Sequence, residues 1–503
     1  MRREILPRWR YPSRRVLEGS VFPSGRPPFG PFPKVTTVLN ACLCPVALVH
    51  DLLHGSDNAL ISSPEAKKRG NLFHRFIAYL KIGIKEGRIE LRGDISRQLY
   101  MIQHEFREFA RGYGFTSSDI DHTWRNYIEP WVKRKIESGE LEELRGNSMI
   151  FFEVYVANPY TEFPLPEQRG RRRYPLRGII DEIDLNRRLI IERTIKGQMN
   201  DENPPLLKDM QVWLLWRALS TLSHEQLPPE WRNVDFRHFR LIVETPHNDF
   251  EVEKDREDFI SRVHWAYAWI NDVALYESPD VIREAWENAQ CSPENPHPEC
   301  GHKHKNCFYK RLIHPQCRPQ LKQAISMWYR HLLWEQMWRG DLWHYRITML
   351  PRDYLIDVGL LRVAHIINAQ ENELELELEL RETQTFRGFY YCTVIPFGTL
   401  QCGIRAKARV SQIEDNHIKL EVDIPISGVS VSALILMSSE SIVPMIQEPP
   451  VFLQRRIQRG LFKLQTKIGT NDERTARRRS SIQLLEALFG TRPLTSGCVE
   501  QRR

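Results

Sequence analysis

Long apolar runs, a secretory leader, paired cysteines and a phosphate-binding glycine loop are all missing from this chain of 503 residues. No apolar stretch approaches the roughly 18 residues needed to span a bilayer, and the segment Leu434 to Met437 is far too short, which excludes a helical membrane protein. Met1 to Pro33 carries Arg2, Arg3, Arg8, Arg10, Arg14 and Arg15 without an apolar core, so it does not read as a secretory signal. Only nine cysteines occur, an odd count that suits a reducing, intracellular setting, cytoplasmic or nucleoid-associated. No G-x-x-x-x-G-K-[ST] is present, so the chain brings no P-loop ATPase of its own. No internal repeat is found.

What is there is a folded-protein composition, 41% hydrophobic and 27% charged, long enough for two or three domains. Lysine plus arginine number 71 against 64 aspartates and glutamates, a net charge of +7. The excess is concentrated in two clusters, Arg169, Arg171, Arg172, Arg173 and Arg177, then Arg455, Arg456, Arg459, Arg474, Arg477, Arg478 and Arg479. Either would attract phosphates, and either could be a solvated loop.

Residues 1–34 read as a basic Pro/Gly-rich arm, 35–340 as an α/β domain, 341–440 as a small antiparallel β-barrel and 441–503 as a basic helical tail. Leu72, Phe73, Phe76, Ile77 and Leu80 mark a helix after Ser62, Ser63 and Pro64. Residues 149–157 read as a strand, and 177–185 and 188–195 as a hairpin turning at Asn186. A helix is expected over 206–222, a strand over 239–244 and a long helical region over 251–289. In the C-terminal half, strands are expected over 345–366, 372–382, 387–396, 399–412 and 416–438. The strict Glu/Leu alternation of Glu373 to Leu380 has the period of a strand with one wet side.

The hairpin carries Asp181 and Glu192, and two carboxylates on adjacent strands can meet to hold Mg²⁺ or Mn²⁺. By spacing alone they are equally well ordinary strand residues. The order Gly70-x-x-x-His74, Gly178-x-x-Asp181, Ile191-Glu192 before Lys196-Gly197, then Gln211 on a helix resembles the RecB-like branch of the PD-(D/E)XK nucleases. That resemblance implies a restriction-endonuclease-like α/β domain with helical additions. His74, Asp181 and Glu192 would then be metal ligands, Gln211 a helper in DNA binding, and Glu153 the extra glutamate before the G-x-x-D loop. Two positions depart from the pattern: the (D/E)-x-K lysine falls on Thr194, and the aromatic of Q-x-x-x-Y on Leu215, beside Trp216. Lys196 lies on the same strand face as Glu192, about 6 to 7 Å beyond Thr194, and is the candidate for the lysine role.

The branch often closes its fold with a [4Fe–4S] cluster, and by that likeness Cys44, Cys300, Cys307 and Cys317 would be its ligands. Cys42 could replace Cys44, and Cys291 could replace Cys300. The usual C-x-x-C pair is lacking. His297, His302, His304 and His314 interleave with these cysteines, so structural Zn²⁺ is the rival. A nuclease of this type followed by a barrel resembles the front half of the eukaryotic replication helicase-nuclease, and also the CRISPR-adaptation iron–sulfur exonucleases. This implies metal-dependent cutting of single-stranded or branched DNA beside a separate superfamily 1 helicase, in repair, recombination or antiviral defence. Thr194 leaves open a non-catalytic DNA-binding adaptor, and the histidine-rich cysteine cluster with thirteen tryptophans a zinc-stabilised RNA-binding protein.

Overall fold

The computed structural model describes residues 17–18, 31–43, 64–275 and 342–437, apart from 113, 146–148, 166–169, 197–200, 206, 371–372, 380–390, 415 and 423–431. The chain divides into two compact units, one of residues 1–62, 260–346 and 443–503, the other of 63–259 and 347–442.

In the first unit, α1 (Val35–Leu43) lies near the described part of a helix ending at Leu275. The Cys42 thiol donates to the Arg262 carbonyl at 3.6 Å, and burial pushes that thiol up to about 12. Phe32 packs on Tyr345 with ring centroids 4.9 Å apart.

The second unit opens with helices: α2 (Pro64–Lys85), α3 (Ile95–Gly112), α4 (Ser117–Thr123) and, after a π-helical turn, α5 (Glu129–Glu137). Phe73, Phe76, Ile77 and Leu80 recur at helical spacing on α2 and are buried with Phe106, Trp131, Ile150 and Phe152. The strands β1 (Ile150–Pro164), β2 (Arg171–Asp184) and β3 (Leu189–Arg193) form an antiparallel meander. Then α6 (Lys208–Ser220) crosses to β4 (Arg240–Glu244), which runs parallel to β3, and β5 (Asp249–Val252) closes the edge antiparallel to β4. A parallel pair requires such a crossover, which is why the helix falls between them. Buried Trp213 and Trp216 anchor α6, their indole N–H groups donating to the carbonyls of Lys254 (2.8 Å) and Phe236 (2.9 Å). The next helix, α7 (Glu257–Leu275), spans the junction between the two units in sequence.

After the short α8 (Arg352–Asp357) come β6 (Leu361–Gln370), β7 (Glu373–Leu378), β8 (Tyr391–Gly398), β9 (Cys402–Glu414), β10 (His417–Val422) and β11 (Ser432–Met437). Their order, β10-β7-β6-β11-β8-β9 with β9 pairing back to β10, is a closed six-stranded antiparallel barrel. Leu374, Leu376 and Leu378 point inward, as the alternation predicts, and fill the interior with Val394, Ile418, Leu420 and Ile435. β9 also pairs with β1 (Val154 opposite Ile404), so the barrel and the α/β sheet are one continuous hydrogen-bonded structure.

Two expectations fail. The helical region expected from 251 begins only at Glu257, because Glu251 and Val252 belong to β5 and pair with β4. Residues 345–366 do not begin as strand: 342–349 and 352–357 are helical, and the strand starts at Leu361. Leu342, Tyr345 and Thr348 are buried at spacing three, a helical period that the aromatic and β-branched content of the segment obscures. Pro351, lacking an amide hydrogen, separates the two helical pieces.

Candidate functional site

Register settles which side chains can meet. Glu182 pairs with Ile191 across β2 and β3, so Asp181 stands directly opposite Glu192 on the same face. On β1, Phe152 pairs with Glu182 and Val154 with Ile180, which sets Glu153 beside Asp181. Glu153 has φ 52°, a left-handed conformation that a non-glycine residue adopts at a cost of about 1 kcal/mol or more. Three carboxylate-bearing positions thus share one row across three strands.

Two helices bring the rest. From α2, His74 Nδ1 reaches Asp181 Oδ2 at 3.2 Å. From the first turn of α6, the Gln211 side-chain amide donates to Glu192 Oε2 at 2.6 Å, and Lys208 Nζ lies 4.0 Å from the same oxygen. The backbone completes the frame: the Arg193 amide donates to Asp181 Oδ2 at 2.6 Å, and the Asp181 amide to Glu192 Oε1 at 3.3 Å. Each carboxylate is therefore oriented by a backbone amide of the facing strand.

The two acids are shifted in opposite directions. Burial pushes Asp181 upward, but His74 first, then Lys208 and Arg193, outweigh it and hold the carboxyl at about 2. Glu192 is fully buried, and burial followed by the adjacent Asp181 charge raises it well above the usual carboxylate range, against the pull of Lys208. Glu153 adds to that repulsion.

Of the residues singled out in the sequence, His74, Asp181, Glu192 and Gln211 come together. Lys196 does not join them. It is exposed, its backbone amide bonds Thr194 Oγ1 at 3.2 Å, and no ion pair among the described residues ties it to either carboxylate. The cation beside Glu192 is Lys208. A signal for it existed, since Lys208 precedes Gln211 by three residues and so shares its helix face. Cys44, Cys291, Cys300, Cys307 and Cys317, and the histidines between them, lie outside the described residues.

As the side chains stand, no group of three or more His, Cys, Asp or Glu among the described residues is arranged to hold a metal ion. The donor chemistry nevertheless fits Mg²⁺ or Mn²⁺: two adjacent carboxylates with a third near, one imidazole nitrogen, and a buried glutamate whose charge the protein alone disfavours.

No family profile and no curated protein matches the chain. Four solved chains do match. One of them, "Crystal structure of SSO0001", shows 17% sequence identity over 39% of this chain and 85% of that one with a TM-score of 0.17, a likeness too slight to argue from. No helix among the described residues is long and apolar enough to cross a membrane.

Proposed function

We propose that the protein is a metal-dependent deoxyribonuclease of the PD-(D/E)XK type. The observation that carries this reading is the direct cross-strand pairing of Asp181 with Glu192, flanked by His74 on one helix and by Lys208 and Gln211 on another. His74, Asp181 and Glu192 would hold Mg²⁺ or Mn²⁺, and such an ion polarises a phosphoryl oxygen and supplies hydroxide at neutral pH. The chain's own residues do the remainder. Lys208 places a positive charge where negative charge develops on the phosphate. Gln211 and the Asp181 amide fix both Glu192 oxygens, and the Arg193 amide fixes Asp181. The order of elements, a helix, three antiparallel strands, a crossover helix and a parallel strand, supports the same reading.

The adaptor reading rests on Thr194 in the lysine position. Lys208 supplies the cation that Thr194 lacks, which favours an active site. The [4Fe–4S] cluster on Cys44, Cys300, Cys307 and Cys317, a single-stranded or branched DNA substrate and a separate helicase partner remain parts of the proposal carried by the sequence resemblance.

The test is anaerobic purification followed by incubation with end-labelled single-stranded DNA and Mn²⁺, comparing wild type with Glu192→Ala. Cutting that is lost in the variant is the expected result. Binding without cutting in both proteins would overturn the nuclease and leave the adaptor. A brown preparation with iron and sulfide is expected, and a colourless one containing zinc would replace the cluster with Zn²⁺.

A further inference from the structure

The row of carboxylates continues into a second row of unlike chemistry. Two residues from Asp181 along β2 lies Ile179, and two further lies Arg177, all on one face by strand alternation. Tyr155 pairs opposite Ile179, and Gly403 of β9 pairs with Tyr155. That register sets Arg405 of the barrel strand beside Glu153, and its guanidinium lies over the Tyr155 ring, 3.6 Å from the centroid.

Two features of this patch call for a ligand. Ile179 is 49% exposed in the middle of a strand whose neighbouring Ile180 is fully buried, so a large aliphatic side chain is offered to solvent between two charged positions. Arg405 is held by the Tyr155 ring and by a hydrogen bond to the Leu400 carbonyl, yet its Nε is buried and makes no hydrogen bond among the described residues. Arg177 pairs with Ala157 and Arg405 stands level with Glu153, so the two arginines flank the Tyr155–Ile179 row. Guanidiniums flanking such a row suit the phosphate of a strand laid across it, and the exposed apolar surface beside them suits the flat face of a base. A nucleotide offers both, joined covalently.

We propose that Arg177, Ile179, Tyr155 and Arg405 form a subsite for a nucleotide flanking the cleaved phosphodiester, taking its phosphate on the two guanidiniums and its base against Ile179. This rests on the nuclease reading. From Asp181 to Arg177 is about 13 Å along the strand, the span of a short single-stranded segment lying across the sheet. A duplex keeps its base faces stacked, so the contact selects an unpaired strand. The barrel then contributes directly to substrate binding through Arg405, beside its structural pairing with β1.

The experiment is fluorescence anisotropy of the full chain with a labelled oligothymidine in EDTA over a range of salt, alongside cutting kinetics in Mn²⁺. Arg177→Gln should weaken binding roughly tenfold and reduce the slope of log K against log salt by about 1. Ile179→Thr should weaken binding several-fold with the salt slope unchanged, and raise KM more than it lowers kcat. Ile179 is half exposed and threonine suits a strand, so this variant keeps the test decisive if Arg177→Gln does not fold. Wild-type affinity in both variants, with the wild type binding and cutting, would overturn the subsite alone. Failure of the wild type to bind any oligonucleotide would overturn the nuclease reading and the subsite with it.

Discussion

β2 and β3 place acidic residues on both of their faces, and the two faces treat them in opposite ways. On one side Asp181 and Glu192 stand together, with His74 and Lys208 at the margin and the carboxylates in excess. On the other, one residue along each strand, Glu182 meets Lys81 at 2.8 Å and also pairs with Arg193. Arg193 in turn holds Glu244 at 2.6 Å, and Lys135 joins Glu244, Glu140 and Asp249 within 3.0 Å. Burial pushes Glu182 and Glu244 upward, but Lys81 and Arg193 outweigh it for Glu182, and Lys135 and Arg193 for Glu244, so both are held below their usual range. The comparison separates carboxylates neutralised by the fold's own cations from carboxylates that outnumber the cations beside them. The first are enclosed by cations, whereas among the second Glu192 is buried beside another acid.

The comparison breaks most severely at Arg193. Replacing it with methionine leaves Glu182 and Glu244 buried with fewer cations, and should cost about 3 to 5 kcal/mol in a denaturant titration. On the facing side, Lys208→Ala should lower kcat about 100-fold with little change in melting temperature, while Lys196→Ala should leave cutting near wild type; the reverse pattern would return the lysine role to Lys196. Glu192→Gln should abolish cutting yet be at least as stable as wild type at pH 7 without metal, because it removes a disfavoured buried charge. The acid limb of stability should follow the closed face. Glutamates held below their usual value contribute stability that is complete above about pH 4.3 and is lost as pH falls through their lower folded values. Lys135→Met should therefore move the acid-unfolding midpoint to higher pH, followed by tryptophan fluorescence. Smallest of all, removing the exposed Arg240–Glu251 pair should change stability by about 0.5 kcal/mol or less.

Much of this is legible in the residues. Period-two alternation marks the inward leucines of β7, and the short connection at Asn186 marks the hairpin that sets Asp181 against Glu192. The spacing from Gly70 to His74 places the histidine on a helix. Lys208 is harder to see because it approaches Glu192 from the first turn of α6, beyond the segment that follows β3, where strand spacing carries no information. The closed network is hidden for a different reason. Arg193, Glu244 and Lys135 are far apart in sequence and resemble ordinary surface charges until packing buries them. Helix 342–349 passes for a strand because its aromatic and β-branched residues favour strands, and only the burial spacing reveals the turn.

The strand shared by the barrel and the α/β sheet has a consequence for how the chain acquires its shape. Val154 finds its partner Ile404 only after most of the molecule has been made. Until then the β1 edge offers unpaired amides and carbonyls next to the carboxylate row, an invitation to pair with a stray strand. Closing so distant a pairing is slow for a chain of this length. A fragment ending before β9 would carry every residue of the carboxylate centre and still expose that edge, so its expected fate is aggregation. Synthesis of the barrel is thus the step that makes the sheet safe to keep.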